Sequence, residues 1–361
     1  MSTFHGSDLE KIEERYGIPR DEIISFAANV SPLGISEGFI DVMRDRLRCI
    51  EKYPERDYRD LRRAVSKYCG VPTDSIIVGN GSSELIGAVI RHKKKPKTLI
   101  VAPAYSEYER YVRLAGGEAL YFDLQEEESF ELDTGRLAGM TDESFDMLII
   151  CNPLNPTSGA VRAGDMRVIL DRCEELGMIC MVDETYVDFA DEVFDVSCLT
   201  SEYQCLFVIR SMSKFFCAPG LRLGYALTSN RNIISEIDGV RDPWMVSSFA
   251  ETAGAYMLGD REYIGRVKAY IREERERVCI RLSKLKDKGI KYYTPQANFV
   301  LVRLPEQRIS ADRLFEMAIR KKMMIRDCSS FRGLDESYIR FCFMGKEDDD
   351  RLLDLIEESV S

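Results

Sequence analysis

The sequence predicts an α/β protein: a mainly parallel, doubly wound large domain followed by a smaller α+β domain. Three observations predict it. Between residues 74 and 228, short apolar runs alternate with amphipathic stretches of helical period, the pattern of strands joined through crossover helices. Runs such as Asp146–Cys151 and Met178–Val182 are almost continuously hydrophobic, which suits strands covered on both faces. After Pro243-Trp244 the alternation stops, and longer helical patterns are interleaved with a few short strands. The expected divisions are 1–30 as an N-terminal arm packing with the small domain, 31–243 as the large domain and 244–361 as the small C-terminal domain.

The elements follow in order. Asp8 to Tyr16 has helical spacing, and Val30-Ser-Pro-Leu-Gly34 is a turn leading into the body. Tyr58 to Cys69 is an amphipathic helix with Leu61, Val65 and Tyr68 on one face. Asp74–Val78 is a short strand, and Gly79-Asn-Gly-Ser-Ser-Glu84 opens the next helix. Further strands are expected at Thr98–Ala102, Asp146–Cys151, Met178–Val182, Cys205–Ile209 and Arg222–Thr228, the last two read as buried parallel strands. Helices are expected at Ser106–Gly116 and Ala163–Leu176. The C-terminal part carries helical patterns at Ser247–Leu258, Glu262–Lys286, Ser310–Lys321 and Glu347–Glu358, with strands at Asn298–Leu304 and Tyr338–Phe343. There is no internal repeat and no low-complexity segment.

Composition narrows the function classes. At 361 residues, 45% hydrophobic and 31% charged, the chain can bury a large core. A net charge of −11 leaves no excess of cations for phosphodiester backbones, so no nucleic-acid partner is expected. The basic run Arg91-His-Lys-Lys-Lys-Pro-Lys97 is expected to be a solvated loop. No apolar run approaches the ~18 residues a membrane helix needs, and the first residues lack a basic segment followed by an apolar one, so a cytoplasmic protein is expected. Eleven cysteines without a Cys-x-x-Cys pair, several inside apolar runs, point to buried free thiols. With two histidines, a histidine-rich metal site or a Ser-His-Asp triad is hard to assemble, and no metal is expected.

Chemistry concentrates at Arg210-Ser-Met-Ser-Lys-Phe-Phe-Cys-Ala-Pro-Gly-Leu-Arg-Leu-Gly224, between two buried strands. A desolvated lysine loses basicity and becomes a nucleophile suited to Schiff-base formation. Gly79-Asn-Gly81-Ser82-Ser83-Glu84 places small residues at a helix N-terminus, where free N–H groups and the helix dipole favour a phosphate. Glu84 stands where a dinucleotide fingerprint needs its third glycine, which argues against an oxidoreductase of that type. Asp183 ends a very apolar strand, where a carboxylate calls for a cation.

Ser-x-Ser-Lys-x(7)-Arg-x-Gly, preceded by Asn152-Pro-Leu-Asn-Pro-Thr-Ser-Gly159 and Asp183-Glu-Thr-Tyr186, resembles the pyridoxal 5′-phosphate (PLP) site of the class I/II aminotransferase family, in order along essentially the whole chain. The resemblance implies a fold-type I PLP-dependent enzyme in which Lys214 carries the cofactor, Asp183 pairs with its ring nitrogen, and Asn155 and Tyr186 address its phenolic oxygen. It implies that Tyr105 lies against the ring, and that Gly81, Ser82, Ser83, Ser211, Ser213 and Arg222 hold the phosphate. Lys52-Tyr53-Pro54 resembles the segment lent to a neighbouring subunit, implying a homodimer in which Tyr53 reaches the partner's phosphate site. Arg326 and Arg340, with Asn29 and Asn298 nearby, are the implied ligands of the substrate's anionic groups.

Two branches of the family fit, both acting on a small phosphorylated substrate: the threonine-phosphate decarboxylases and the histidinol-phosphate aminotransferases. His5-Gly6, Ala27-Ala-Asn-Val-Ser-Pro-Leu-Gly34, Ser106-Glu-Tyr-Glu-Arg110, Asp242-Pro-Trp244 and Arg326-Asp-Cys-Ser-Ser-Phe-Arg-Gly-Leu334 resemble the decarboxylases, which are placed first. The lysine motif and Asp183-Glu-Thr-Tyr186 fit aminotransferases equally, and Ser31 stands where the decarboxylases tend to carry asparagine. The outcome depends on which bond at the substrate Cα stands perpendicular to the cofactor ring.

Overall fold

The computed structural model describes residues 8–361. The first elements are α1 (Leu9–Tyr16), β1 (Ile24–Ser25), α2 (Glu37–Asp45), α3 (Arg59–Cys69), β2 (Ile76–Gly79), α4 (Ser82–His92), β3 (Lys97–Ala102), α5 (Ser106–Leu114) and β4 (Glu118–Asp123). Next come α6 (Thr134–Met140), β5 (Met147–Cys151), α7 (Ala163–Leu176), β6 (Ile179–Asp183), β7 (Leu206–Ser211), β8 (Gly224–Leu227), α8 (Arg231–Val240), α9 (Ser248–Gly259) and α10 (Arg261–Ser283). The last are β9 (Lys291–Tyr292), β10 (Phe299–Arg303), α11 (Ala311–Arg320), β11 (Met323–Met324), β12 (Arg326–Asp327), β13 (Tyr338–Cys342) and α12 (Lys346–Val360).

A seven-stranded sheet in the order β2-β8-β7-β6-β5-β3-β4 forms the centre. Successive residues of its strands serve opposite faces, as the period of two requires. Ile100, Met147 and Ile149 pack with α4, α5 and α8, while Leu99, Leu148 and Ile150 join the larger core that contains α3 and α7. That larger core continues into the C-terminal part, where β12-β13-β10-β9 form an antiparallel sheet. The N-terminal segment belongs to this side: β1 pairs in parallel with β11, Ile24 opposite Met323, and the Cys342 N–H donates to the Phe26 carbonyl at 2.8 Å.

The structure departs from the sequence reading at four places. β8 runs antiparallel to both β7 and β2, where a parallel strand was expected. A parallel return needs a crossover helix, and residues 212–223 hold the lysine turn instead. Arg222 does not begin that strand; it follows the Pro219–Leu221 turn in the left-handed region (φ 55°), and the ladder starts at Gly224. Thr73–Ser75 forms a helical turn, so β2 begins only at Ile76. Finally β4, α2, α6, α8 and the two-residue strands β1, β9, β11 and β12 had no counterpart in that reading. β4 is an edge strand with one buried residue, and two-residue strands carry no periodicity to detect.

Beneath the site, Arg210 of β7 is 2% exposed and Glu184 is fully buried, with Nη2 and Oε2 2.8 Å apart. Asp188 lies 3.6 Å from the same guanidinium and accepts from the Tyr68 hydroxyl at 2.7 Å, which ties α3 to the ends of β6 and β7. Buried charges persist only when paired in this way. Among the described residues no helix is long and apolar enough to cross a membrane. The eleven cysteines are free thiols.

Candidate active site

The C-terminal ends of β5, β6 and β7 and the N-termini of α4 and α5 open on a cavity of about 570 Å³. Parallel strands place ligands in this position, beyond their carboxyl ends. Of the residues singled out in the sequence, Ser82, Ser83, Tyr105, Asn155, Asp183, Tyr186, Ser211, Ser213, Lys214, Arg222, Arg326 and Arg340 line it. Gly81 stands immediately before Ser82. Asn29 and Asn298 lie one layer behind the lining, beside Ala28 and Val30. Tyr53 is not in the cavity; it is 80% exposed, with its ring 5.1 Å from that of Trp244. His5 and Gly6 lie outside the described residues.

Asp183 ends β6 and is 4% exposed. Its Oδ1 accepts from the Thr185 N–H at 3.0 Å and the Thr185 hydroxyl at 2.6 Å, and its Oδ2 accepts from the Tyr108 hydroxyl at 2.6 Å. Burial raises its pKa, and the Thr185 and Tyr108 bonds pull it back; no cation is among the groups acting on it. A buried carboxylate with three donors and no counter-charge facing a cavity is a receptor for a positively charged ligand atom.

Lys214 faces it from the turn after β7. Burial, reinforced by Arg340 and Arg222, lowers its pKa to about 8, so a sizeable share of the amine is neutral near physiological pH. Its Nζ donates to the Ala28 carbonyl at 2.6 Å, while the Ser31 N–H donates to the Lys214 carbonyl at 2.9 Å. The N-terminal segment is thereby fastened to the lysine turn.

At the opposite end, Gly81 (φ +81°) turns the chain from β2 into α4. A Cβ there would stand 2.4 Å from Arg222 Nη2, so the glycine lets the guanidinium close on the helix N-terminus. The first N–H groups of α4, the Ser82, Ser83, Ser211 and Ser213 hydroxyls and Arg222 make an anion cradle. Tyr105 stands before α5 with its ring edge-on to Tyr108, centroids 5.7 Å apart. Tyr186 is buried with its ring edge-on to Phe299 at 4.9 Å, and burial raises its pKa.

Arg340 on β13 and Arg326 on β12 are directly paired in the ladder. The Arg340 guanidinium donates to Asn155 Oδ1 and to the Ala27 carbonyl, while its buried Nε has no hydrogen-bond partner. The amide oxygen of Asn298 is orphaned in the same way, while the Asn29 amide is turned toward the Tyr186 hydroxyl. Orphaned buried polar atoms beside a cavity indicate groups reserved for a ligand. Arg326 donates to Ser330 Oγ at 2.9 Å and lies over Phe331, 5.3 Å from the ring centre.

Sequence reasoning missed Tyr108, Thr185, Ser330 and Phe331, which also line the cavity. Tyr108 had a usable signal: it lies three residues after Tyr105 at a helix start, a spacing that puts both rings on one face. Ser330 and Phe331 fell within the Arg326–Leu334 stretch that resembles the decarboxylases but received no site role, because their place depends on a turn without a period.

These features place the chain in a defined class. The sequence profile of aminotransferase class I and II matches residues 21–356, and the chain belongs to that family. It is a pyridoxal-phosphate enzyme, and the anion cradle, the buried Asp183 carboxylate and Lys214 fit that cofactor. Its relatives divide between two activities. A protein of Caldanaerobacter subterraneus subsp. tengcongensis, provisionally named a threonine-phosphate decarboxylase, is 34% identical over 339 residues, 92% of this chain and 90% of that one. The histidinol-phosphate aminotransferase of Methanothermobacter thermautotrophicus is 31% identical over 360 residues, 98% and 94% of the two chains. The crystal structure of the histidinol-phosphate aminotransferase from Clostridium acetobutylicum superposes with a TM-score of 0.87 at 31% identity, over 93% of this chain and 98% of that one.

Proposed function

We propose that this enzyme decarboxylates a small phosphorylated amino acid of the threonine-phosphate type. The observation that carries the reading is the pair Arg326 and Arg340, adjacent in one ladder on one wall of the cavity. Two guanidinium groups match a substrate with both a carboxylate and a phosphate, which threonine phosphate has; histidinol phosphate lacks the carboxylate. The 34% identity to the decarboxylase-named relative supports the same choice.

In this reading Gly81, Ser82, Ser83, Ser211, Ser213 and Arg222 hold the cofactor phosphate, Tyr105 covers its ring, Asn155 and Tyr186 address its phenolic oxygen, and Asp183 pairs with its ring nitrogen. When bound, pyridoxal phosphate supplies a covalent link to the substrate amine and a sink for electrons from its Cα. Asp183 supports that sink by remaining an anion. Lys214 holds the cofactor in the resting enzyme and afterwards returns a proton to the substrate carbon. Arg326 and Arg340 hold the anionic groups, with Asn29 and Asn298 supporting them. Residues 31–243 supply the cofactor side, and 244–361 with the arm 1–30 supply the substrate side.

The working unit is a homodimer in the cytoplasm, with Tyr53 completing the partner's phosphate site. Exposed Leu47, Ile50, Tyr53, Val240 and Trp244 are apolar surface that a second copy would cover. Mixing Tyr53→Phe with Lys214→Ala protein tests this, since exchanged dimers carry one site free of both lesions. Recovered activity is expected, and none after proven exchange counts against the shared site.

The reaction is tested by incubating the enzyme with O-phospho-L-threonine, and separately with L-histidinol phosphate plus 2-oxoglutarate. Carbon dioxide without pyridoxamine phosphate is expected from the first. Glutamate from the second, with no carbon dioxide from the first, gives the aminotransferase instead.

A further inference from the structure

The cavity has a wall made by the start of α5, with Tyr105, Ser106 and Tyr108, and another made by Arg326, Ser330 and Phe331. Arg332 directly follows the second wall and reaches back to the edge of the large sheet. Its Nε donates to Asp123 Oδ1 at 2.6 Å and its Nη2 to Asp123 Oδ2 at 2.8 Å, while its guanidinium carbon lies 4.2 Å from the centre of the Tyr121 ring. Asp123 ends β4 opposite Ala102, the residue from which the chain runs on into α5. One side chain thus ties the second wall to β4, the edge strand beside the one that leads into the first wall.

We propose that Arg332 is a positioning residue that latches the 326–331 segment to the sheet edge and thereby sets where Arg326 meets the substrate. The proposal rests on the reading that Arg326 binds a substrate anion.

The segment needs such an anchor. β12 is two residues long and pairs with β13 only through Arg326 and Asp327, followed by one bond from the Cys328 N–H to the Tyr338 carbonyl at 3.0 Å. The Arg326 guanidinium rests on the turn that follows, bonded to Ser330 and stacked on Phe331. Any drift of that turn carries Arg326 with it. A guanidinium suits the latch because it grips both carboxylate oxygens in a fork and lies flat on an aromatic ring, which an ammonium cannot do. Arg332 and Asp123 are 52% and 40% exposed at their side chains. An exposed pair contributes little to global stability, so the latch acts on local geometry, and its signature is in substrate affinity.

The test uses holoenzyme carrying Arg332→Asp, Asp123→Arg or both. Three quantities are read: hydrogen exchange of residues 326–334 without substrate, cofactor affinity from the visible absorption, and KM and kcat on whichever of O-phospho-L-threonine or L-histidinol phosphate is turned over. Each single change is expected to speed exchange in the segment and raise KM by ~2- to 5-fold, the range an exposed pair commands. Cofactor affinity and kcat hold steady, and the exchanged pair recovers KM. Unchanged exchange or unchanged KM in the single variants overturns the latch, as does an equal fall in kcat and cofactor affinity. Arg326→Ala separates the two layers: if it leaves KM unmoved, the substrate role of Arg326 fails, whatever the exchange data show for Arg332.

Discussion

On one side of the cavity Cys151, Asp183 and Ser211 end neighbouring strands of a seven-stranded sheet, and the residues behind them are almost wholly buried. On the other side Arg326 stands on a strand of two residues, and Ser330 and Phe331 follow it in a turn. The first side is fixed by ladders, by the Arg210–Glu184 pair beneath it and by packing on both faces of the sheet. The second is fixed by a ladder of only two residues to β13, by contacts within its own turn and by the exposed Arg332–Asp123 pair. Chemistry common to the whole family can sit on the rigid side, while substrate choice can change on the other with few substitutions. The relatives named above carry two different activities in their names at nearly equal identity to this chain.

The largest effect expected from the rigid side is that of Lys214→Ala. Turnover should fall by roughly 10³-fold or more, since the covalent and proton-transfer roles are both lost. Borohydride treatment of the native enzyme should fix the cofactor to the peptide containing Lys214, and attachment to another lysine would falsify the assignment. Attachment to cofactor-free enzyme should also quicken as pH rises through about 8, where burial has brought the Lys214 amine to its neutral form.

Tyr108→Phe comes next. It removes one of three donors to Asp183 while keeping the ring. A hydrogen bond to a charged group contributes ~1.5–3 kcal/mol, roughly a 10- to 100-fold effect on rate. Burial already raises the Asp183 pKa, and the lost bond lets it rise further. The anion then survives only at higher pH, so the acidic limb of the kcat/KM profile should move upward. Thr185→Val should move it the same way. An unmoved limb in both variants would show that these donors do not govern Asp183, and the contrast between the two walls would weaken.

The same contrast decides what was legible in the sequence. Lys214, Asp183 and the Gly81–Ser83 turn were readable because each sits at a junction of strand and turn or helix, where hydrophobic pattern and chemistry change together. The central strands were readable for the same reason, being buried on both faces. β4, only partly buried along most of its length, and β11 and β12, two residues each, were not; their formation is decided by partners distant in sequence. Arg326 and Arg340 were singled out through the family resemblance, but nothing in the pattern showed that the ladder sets them opposite one another. Tyr108 shows the intermediate case: its helical spacing from Tyr105 was visible, whereas its bond to Asp183 required the third dimension.

The smallest effect on turnover is expected at Asp349, behind the substrate side. It lies in the first turn of α12, fully buried, and accepts from the Met344 N–H at 3.0 Å and the Gly345 N–H at 3.2 Å. These hold the turn that leaves β13, the strand carrying Arg340. Burial, and then a hydrogen bond with Glu274 of α10, raise its pKa to about 8; Tyr270, Arg277, Cys342, Asp348 and Asp350 are further charged or titratable groups around this pair. The folded protein therefore holds a proton that the unfolded chain releases near pH ~4. That contribution is fully present below the unfolded value and is lost as pH rises through about 8. Asp349→Asn keeps the shape and one of the two contacts with the turn and cannot ionise; the lost acceptor costs stability equally at every pH, so the pH dependence still isolates the titration. Thermal unfolding followed from about pH 6 to about pH 9 should show the native protein losing stability more steeply than the variant, with turnover near neutrality within ~2-fold of native. Parallel stability curves would mean that the buried acid pair is not what weakens the substrate side in alkali.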